Sequence, residues 1–364
     1  WATPPTVQAP VAVNSNAGSD AVADYNPRMA TDGEGHWVAI WRAEFDVMVA
    51  YSWDDGVTWS TAIDLHPGGA TVTDNIDNRP DIATDGVGVW IAVWHTTDTM
   101  GGTIGSDDDI LFSRSTDNGA NWSSPAPLNG NYATLNTDWG PQVAASDTGR
   151  WMAVWNSTEG AVADSKRTER LSVGIDHDIL YALSDDAGQS WSSPRLLNTN
   201  GTSDYGYDYA VRLNPVYENG WVAVWSTDDS FRGAYGSDYD SFAAVWDEST
   251  ESWSAPTPLN TNADSDAVND VIPEVATGSD GTCVAVWCVA HADAADSYSI
   301  FGARSTNGGQ TWSAPFPLSR ENQYTNVLPD LDTDGHGNWL ALWWSTDPMD
   351  GAYGTDSDIL AVLS

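Results

Sequence analysis

Trp90-Ile-Ala-Val-Trp94 decides the fold, because versions of this stretch recur along the whole chain at intervals of about 50 to 70 residues. Each copy is a continuous apolar run of strand length, as is typical of a strand buried on both faces of a sheet. The alternation of side chains along a strand places both indole rings on one face. The six copies of this tryptophan repeat are Trp37-Val-Ala-Ile-Trp41, Trp90-Ile-Ala-Val-Trp94, Trp151-Met-Ala-Val-Trp155, Trp221-Val-Ala-Val-Trp225, Cys283-Val-Ala-Val-Trp287 and Trp339-Leu-Ala-Leu-Trp343.

The sequence around each copy predicts three further strands. A short apolar stretch and a turn such as Thr31-Asp-Gly33 precede the repeat, which indicates a hairpin. A polar loop, a third strand such as Asp109-Ile-Leu-Phe-Ser113 and a fourth segment such as Trp122-Ser-Ser-Pro-Ala-Pro-Leu-Asn129 follow it. Four antiparallel strands, repeated six times, predict a six-bladed β-propeller.

The ends of the chain predict how the ring closes. The last repeat stops after its third strand, at Asp358-Ile-Leu-Ala-Val-Leu-Ser364, and Ala9-Pro-Val-Ala-Val-Asn14 matches the fourth segment of another repeat, Ala255-Pro-Thr-Pro-Leu-Asn260. The N-terminal strand should therefore pair with the C-terminal blade and remove a free sheet edge. We predict a single domain over 1–364, with the outer strand of the last blade in 1–26, blade repeats at 27–78, 79–139, 140–209, 210–271 and 272–327, and the three inner strands of the last blade in 328–364.

The net charge of the chain limits the classes of partner that it can bind. Its 364 residues carry 52 acidic and 13 basic side chains, a formal net charge of -39. Such a surface repels nucleic acid and anionic membranes, and no apolar run is long enough to span a bilayer. The chain begins at Trp1 rather than Met, from which we expect that a signal peptide is removed and the protein is secreted or on the cell surface.

Acidic residues recur at three positions of the repeat. Because neighbouring strands alternate in direction, all three positions are expected on one face of the ring, which we call the rim. The first position holds Asp24, Asp77, Asp138, Asp208, Asp270 and Asn326, and the second holds Asp98, Glu159, Asp229 and Asp347. The third is an Asp-x-Asp motif at Asp107 and Asp109, Asp176 and Asp178, Asp238 and Asp240, and Asp356 and Asp358.

Carboxylates that converge in one blade repel one another unless a cation lies between them. Oxygen ligands of this kind suit Ca²⁺ rather than zinc or copper. We therefore predict several calcium ions, about one per blade in most blades. The alternative is a solvated acidic rim, as in a protein adapted to high salt.

A second repeated motif connects the third and fourth strands. It reads Ser52-Trp-Asp-Asp-Gly-Val-Thr-Trp59, Ser115-Thr-Asp-Asn-Gly-Ala-Asn-Trp122, Ser184-Asp-Asp-Ala-Gly-Gln-Ser-Trp191 and Ser305-Thr-Asn-Gly-Gly-Gln-Thr-Trp312, with a decayed copy that ends at Trp253. These copies resemble the Asp-box, or BNR, repeats of the sialidase-like propellers. That resemblance covers the whole chain and implies a six-bladed propeller in which the boxes are structural turns on the face away from the active site.

The resemblance also implies what a sialidase would need: three arginines that clamp the substrate carboxylate, a Tyr-Glu nucleophile and an Asp acid/base. The aligned position of the six innermost strands reads Arg28, Asp81, Gln142, Arg212, Glu274 and Asp330. Two arginines are present where three are needed. Arg79 is a potential substitute, and the innermost strand of the last blade carries no tyrosine.

Three aromatic residues, Tyr25, Trp139 and Tyr209, each follow a rim aspartate and are expected beside the mouth of the central channel. There they would either stack on sugar rings or cover the neighbouring loop. We expect a secreted propeller that binds a glycan or an extracellular protein without catalysis, with Asp81 and Asp330 also at its ligand site. The alternative is an exo-sialidase-like glycoside hydrolase that acts at the channel mouth through Arg28, Arg212 and Glu274.

Overall fold

The computed structural model describes residues 11–14, 17–19, 22–68, 76–130, 136–158, 177–199, 206–216, 220–231, 233–265, 267–292, 297–321, 323–335, 337–352, 354 and 356–364. These residues form six antiparallel sheets, one for each tryptophan repeat, and they confirm the predicted six-bladed propeller. Consecutive strands of a blade are neighbours in its sheet, apart from the last strand of blade four, which pairs with the third, so the blades are up-and-down meanders. Among the described residues, no helix combines the length and the apolar composition that crossing a bilayer requires.

The strand bounds follow the repeat. Blade one contains β1 (Asp24–Thr31), β2 (Trp37–Ala43), β3 (Asp46–Ser52) and β4 (Ile63–Asp64). Blade two contains β5 (Asp77–Thr84), β6 (Trp90–Thr96), β7 (Asp109–Ser115) and β8 (Ala126–Pro127), and blade three contains β9 (Asp138–Ala145), β10 (Trp151–Ser157), β11 (Asp178–Ser184) and β12 (Arg195–Leu196).

Blade four contains β13 (Tyr209–Val216), β14 (Gly220–Thr227), β15 (Asp240–Asp247), β16 (Ser252–Trp253) and β17 (Thr257–Pro258). Blade five contains β18 (Asp270–Thr277), β19 (Cys283–Ala290), β20 (Tyr298–Ser305) and β21 (Phe316–Pro317). Blade six contains β22 (Asn326–Thr333), β23 (Trp339–Ser345) and β24 (Asp358–Leu363), with a short 3₁₀ turn at Met349–Gly351 before β24.

The core lies between the blades, and the tryptophan repeats supply most of it. In blades two, three and four the rings of this repeat are inaccessible to solvent: Trp90, Trp94, Trp151, Trp155, Trp221 and Trp225. Burying an aromatic side chain of this size removes about 150–250 Å² of its surface from water. The six repeats therefore supply a core large enough for the whole propeller. Cys283 and Cys288 are free and buried, and they pack as small apolar core residues.

The Asp-box turns satisfy their polar groups within a few residues of sequence. Ser115 Oγ donates to Asp117 Oδ1 at 2.9 Å, the same aspartate accepts the amide of Asn121 at 2.9 Å, and Trp122 Nε1 donates to the carbonyl oxygen of Gly119 at 2.9 Å. Gly119 has a φ of 83°, a backbone conformation that favours glycine. A Cβ atom there would lie 2.6 Å from Val38 Cγ2, so this turn also packs closely on blade one.

Blade six shows where the ring should close. Its sheet has three strands, β22, β23 and β24, in the described part of the chain. Asn14 Nδ2 donates to Asp24 Oδ2 at 2.7 Å, the same contact that Asn129 makes to Asp138 at the next-but-one blade boundary. This contact is consistent with closure by the N-terminal strand, although residues 9–10 of that predicted strand lie outside the described residues.

Candidate functional site

A ring of backbone bulges surrounds one end of the central channel, and we call this end the channel mouth. Every innermost strand shifts register against its neighbour just before the aligned Pro or Val, and the residue at the shift has a positive φ. The six φ values are 51° at Asn26, 45° at Arg79, 63° at Gly140, 57° at Ala210, 56° at Ile272 and 54° at Leu328. Bulges of this kind redirect side chains and often lie next to active sites. All six residues line a single cavity of about 470 Å³.

Three arginines, Arg28, Arg79 and Arg212, line this mouth cavity. Neither Arg28 nor Arg79 forms an ion pair with any described residue, whereas Arg212 Nε lies 2.6 Å from Glu274 Oε1. None of the described residues lining the cavity is Asp or Glu, in a chain with 52 acidic side chains. The mouth is therefore a local positive site on a strongly negative protein.

The channel below the mouth is acidic. A second cavity of about 590 Å³ shares Arg28, Gln142 and Arg212 with the mouth cavity and is also lined by Glu274 and Asp330. The structure thus brings together five of the six side chains that the sequence placed at one aligned position of the innermost strands.

Burial raises the pKa of two carboxyl groups in the channel. The pKa of Glu274 is raised by burial even though Arg212 and Arg28 oppose the rise. The pKa of Asp81 is also raised by burial, against the charge of Arg28 and a 2.9 Å hydrogen bond from the Val143 amide. Below the mouth, then, Glu274 and Asp81 hold protons more tightly than free carboxyl groups do.

His95 forms a hydrogen bond with the backbone of the mouth and carries no positive charge. Its Nδ1 atom accepts a 3.3 Å hydrogen bond from the amide of Gly140, one of the six bulge residues. Burial and the nearby charge of Arg79 lower the pKa of this imidazole to about 3. The positive charge at the mouth therefore comes from the arginines.

Aromatic rings form a continuous row along the mouth. The ring of His177 lies 4.6 Å from that of Trp139 and 3.8 Å from that of Tyr207, and Tyr207 continues to Tyr209 at 5.8 Å. Tyr239 extends the row, 5.3 Å beyond Tyr209. Trp139 and Tyr209 thus lie at the mouth as expected, and Tyr207, which the sequence analysis did not select, lies between them.

Two of the tyrosines expected at the mouth differ from simple exposed stacking platforms. Burial raises the pKa of Tyr209 to about 12, so its phenol stays protonated at any ordinary pH. Tyr25 lines the cavity of about 590 Å³ below the mouth rather than the mouth cavity. The guanidinium of Arg42 lies 5.6 Å above its ring.

The first set of rim aspartates joins neighbouring blades through hydrogen bonds. Asn129 Nδ2, at the end of blade two, donates to Asp109 Oδ1 at 3.0 Å and to Asp138 Oδ2 at 2.7 Å, while Trp155 Nε1 donates to the other oxygen of Asp138 at 3.1 Å. We call this arrangement the blade clip. The clip recurs with Asn198, Asp178, Asp208 and Trp225, and with Asn260, Asp240, Asp270 and Trp287. These hydrogen bonds give the aspartates a reason to recur that is independent of any metal ion.

Blade two starts with a histidine version of the clip. His66 takes the place of the asparagine, and its Nδ1 atom lies 2.9 Å from Asp77 Oδ2, while its Nε2 atom lies 3.4 Å from Asp98 Oδ2. Attraction to these carboxylates raises the pKa of His66, although burial opposes the rise. Asp77 thus fills the same structural position as Asp138.

The second set of rim aspartates caps its own loops. Asp98 Oδ1 accepts a hydrogen bond from the amide two residues later at 3.1 Å, and Asp229 and Asp347 do the same at 3.0 Å and 2.8 Å. Side chains of this type commonly bond to nearby backbone in turns. Glu159, the fourth member of this set, lies outside the described residues.

The third set, the Asp-x-Asp motif, differs from the other two. Asp109, Asp178 and Asp240 begin their strands and belong to the blade clips. The first residues of the motif, Asp107 and Asp238, are half-buried. In blade six Asp356 is exposed and Asp358 is half-buried, and Asp176 lies outside the described residues. Within the described part of the chain, no group of three or more His, Cys, Asp or Glu residues is arranged to hold a metal ion, so calcium stays a prediction.

Solved structures of the same fold cover most of the chain. An α-L-arabinanase from Penicillium chrysogenum is 14% identical, with a TM-score of 0.52 over 94% of this chain and 93% of that one. A leech intramolecular trans-sialidase is 10% identical, with a TM-score of 0.53 over 94% and 68% of the two chains. An ulvan lyase of polysaccharide lyase family PL25 is 13% identical, with a TM-score of 0.51 over 85% and 78%.

At these identities the likeness shows the fold alone. The chain matches no protein-family model and no curated protein. It is a six-bladed β-propeller with Asp-box motifs, a fold that it shares with glycoside hydrolases and polysaccharide lyases.

Proposed function

We propose that the channel mouth binds a glycan through an acidic sugar residue, and that the protein is a glycan-binding propeller without hydrolytic activity. One observation carries the proposal: Arg28, Arg79 and Arg212 line one cavity that has no described Asp or Glu in its wall. Only 13 basic residues are available in the whole chain, so three in one cavity is a marked concentration.

The chemistry of the mouth suits a carboxylate or sulfate group. The planar guanidinium fork binds such an anion through two parallel hydrogen bonds, and these charge-assisted bonds are shorter and stronger than neutral ones. Arg28 and Arg79 line the cavity and form no ion pair in the described part of the chain. Arg28 Nη1 donates to the carbonyl oxygen of Pro27 at 3.3 Å, and the remaining donors would bind the ligand. Arg212 is oriented by Glu274 and would contribute its remaining donors.

The aromatic row supplies the second half of a sugar site. Trp139 and Tyr207 line the mouth cavity beside the arginines, and their rings offer apolar faces to a sugar ring. Exposed aromatics next to polar anchors are common in ligand sites of this size. The acidic group would bind at the arginines, and the neighbouring sugar residues would lie along the row towards Tyr239.

Three proteins of the same fold bind sugars, and two of these sugars are acidic. The Penicillium arabinanase was solved with arabinobiose, the leech trans-sialidase with 2,7-anhydro-Neu5Ac, and the ulvan lyase with -[GlcA(1-4)Rha3S]-. These ligands support a glycan as the partner of this propeller. Fold alone does not select among binding, hydrolysis and elimination, so the side chains of the mouth must decide.

The arrangement of Tyr209 and Glu274 favours binding over hydrolysis. A tyrosine nucleophile needs a lowered pKa or an adjacent base, whereas the pKa of Tyr209 is raised to about 12. The carboxylate of Glu274 is held by Arg212 at 2.6 Å, which leaves it poorly placed to activate a phenol. Neither group therefore has the properties of a nucleophilic pair.

The second candidate is an exo-sialidase-like hydrolase, and Arg79 favours it. The sequence supplied two arginines at the aligned positions, and the structure places Arg79 in the same cavity as a third. The raised pKa of Glu274 also suits a proton donor.

Binding and turnover should be measured on the same samples. Isothermal titration calorimetry with sialyl and uronate oligosaccharides would be run on the wild type, on Arg79→Gln, and on Arg304→Gln, a control arginine that lies away from the mouth cavity. We expect Arg79→Gln to weaken binding about 10- to 100-fold, because a charge-assisted hydrogen bond is worth about 1.5–3 kcal/mol. Arg304→Gln should bind like the wild type.

Each result assigns the function. Hydrolysis of a fluorogenic sialoside that disappears in Arg79→Gln would replace the binding proposal with the hydrolase. Equal affinity of Arg79→Gln and the wild type, or no affinity for any acidic sugar, would refute the proposed role of the mouth.

A further inference from the structure

Hydrogen bonds account for two of the three sets of rim aspartates, and they leave one position unexplained. Asp138 has a side-chain donor for each oxygen, and Asp98 caps its loop. The unexplained position is the first residue of the Asp-x-Asp motif, which precedes the third strand of its blade. It is Asp107 in blade two and Asp238 in blade four.

Blade two buries three carboxylate oxygens that have no hydrogen-bond partner within the described residues. They are both oxygens of Asp107 and Oδ2 of Asp109. Asp109 is only 1% exposed, and its other oxygen is already held by Asn129 at 3.0 Å. The three oxygens are therefore excluded from water, and the nearby backbone amides of Gly105, Ser106 and Asp107 only partly offset their burial.

Blade four repeats the observation at the same motif position. Oδ2 of Asp238 is buried without a hydrogen-bond partner in the described part of the chain. Blade six provides the contrast, because Asp356 at this position is exposed and water can solvate it. The recurrence in two separate blades indicates a requirement of the motif rather than an accident of one loop.

Two adjacent carboxylates with oxygens buried in this way repel each other and are destabilised unless a positive charge lies between them. No Lys or Arg side chain pairs with Asp107, Asp109 or Asp238 among the described residues. A cation bound only by carboxylate and carbonyl oxygens is a hard one, and Ca²⁺ tolerates the irregular sets of 6–8 oxygens that loops provide. Mg²⁺ requires near-ideal octahedral geometry and keeps its waters, which suits a buried loop less well.

We infer that the Asp-x-Asp loops of blades two and four each bind one calcium ion, through Asp107 and Asp109 in one and through Asp238 and Asp240 in the other. Carbonyl oxygens of the same loops and water would complete the coordination. These sites lie at the start of the third strand and do not include the arginines of the mouth. Calcium would therefore fix the rim loops, and it would leave the acidic-sugar site itself intact.

The sites can be counted by titrating Ca²⁺ into metal-free protein by calorimetry. The experiment needs about 0.5 M NaCl, because a net charge of -39 attracts diffuse counterions that salt displaces and a coordinated ion resists. The variants are Asp107→Asn, Asp238→Asn and the double variant, with Asp55→Asn as a charge-matched control. Asp55 is exposed in an Asp box on the opposite face.

The wild type and Asp55→Asn should bind two ions, each single variant one, and the double variant none. Thermal melts should agree: Ca²⁺ should raise the melting temperature of the wild type and of Asp55→Asn, and should leave the double variant unchanged. In EDTA the single variants should melt no lower than the wild type, because each removes a buried, unpartnered charge. This comparison distinguishes the loss of a calcium site from a general loss of folding in the variants.

Two outcomes would overturn the inference. One is the absence of saturable Ca²⁺ binding in the wild type at this salt concentration. The other is an unchanged stoichiometry in the double variant, which would place any bound calcium elsewhere. Saturation with Mg²⁺ at equal affinity would contradict the choice of calcium.

Discussion

The two faces of this propeller are both rich in aspartate, yet they use it in opposite ways. On the Asp-box face the motif aspartates accept hydrogen bonds from their own turns, as Asp186 does from Ser184 and from both the amide and the hydroxyl of Ser190. These bonds lower the pKa of Asp186 to about 2. On the rim the carboxylates bond across blades or are buried near one another, and burial raises the pKa of Asp108 and of Asp109 to about 6.

The difference separates local from nonlocal stabilisation. An Asp box is complete within eight residues, such as Ser184–Trp191, so it can tolerate changes elsewhere in the ring. A blade clip is complete only when two blades meet, so its loss should weaken the contact between blades. We therefore expect the rim to contribute more to the stability of the ring than the Asp boxes do.

Breaking one blade clip should have the largest effect. Asn129→Ala removes the donor to Asp109 and Asp138, and leaves both buried carboxylates short of a partner. Removing one partner of a buried charged group costs about 2–4 kcal/mol, against under about 1 kcal/mol for an exposed pair. The control is Asn121→Ala, which removes an asparagine that donates to Asp117 in an exposed box.

Urea denaturation would compare the free energies of unfolding of these two variants. Equal losses would show that the clip is worth no more than a surface turn, and the contrast between the faces would fail.

Disturbing the close packing of the blade-two Asp box on blade one should lower the stability of the fold by an intermediate amount. Gly119→Ala combines a positive φ of 83° with a Cβ atom placed 2.6 Å from Val38 Cγ2. Gly33→Ala has a similar φ of 75° and nothing within 4 Å. We expect a loss of about 1 kcal/mol for Gly33→Ala from backbone strain and about 2 kcal/mol more for Gly119→Ala from the overlap.

Thermal melts of the two glycine variants would isolate the packing contribution, because both carry the backbone strain. A matching loss in both would mean that the Asp box does not press against blade one.

Much of this architecture could be predicted from the sequence, because its causes repeat. The tryptophan repeat fixed the number of blades, and the Asp-box spacing fixed the turns, since both depend on neighbours within one blade. The grouping of Arg28, Arg212 and Glu274 followed from the same alignment.

The rest depends on contacts between blades, which no single repeat encodes. Asn129 ends a Pro-Leu-Asn segment that is visible in the sequence, but its two acceptors lie 20 and 9 residues away in different blades. Arg79 reaches the mouth because a bulge redirects it, and the sequence signal for this is only the following Pro80. The in-register aspartates suggested about one calcium ion per blade in most blades, whereas hydrogen bonds already explain most of these aspartates.

The smallest effect, and a direct test of the two faces, is their response to pH. Asp46 begins β3 on the rim, as Asp109 begins β7. Burial, with help from Asp64 and Asp77, raises the pKa of Asp46 to about 6, above the value of 3.8 expected in the unfolded chain. Its charged form therefore destabilises the fold above about pH 6, and this penalty disappears as the pH falls towards 3.8. Asp186 behaves oppositely: its contribution is present above pH 3.8 and is lost as the pH falls through about 2.

Asp46→Asn should accordingly melt higher than the wild type at pH 7 to 8, by about 1 °C after allowance for solvent screening, and should converge with it near pH 4. Asp186→Asn should melt lower than the wild type at pH 7 and converge with it only near pH 2. Thermal melts between pH 2 and 8 in EDTA would show the pH at which the melting temperature of each variant converges with that of the wild type. A lower melting temperature for Asp46→Asn at pH 7 would mean that this rim carboxylate has a stabilising partner, and the two faces would then use aspartate alike.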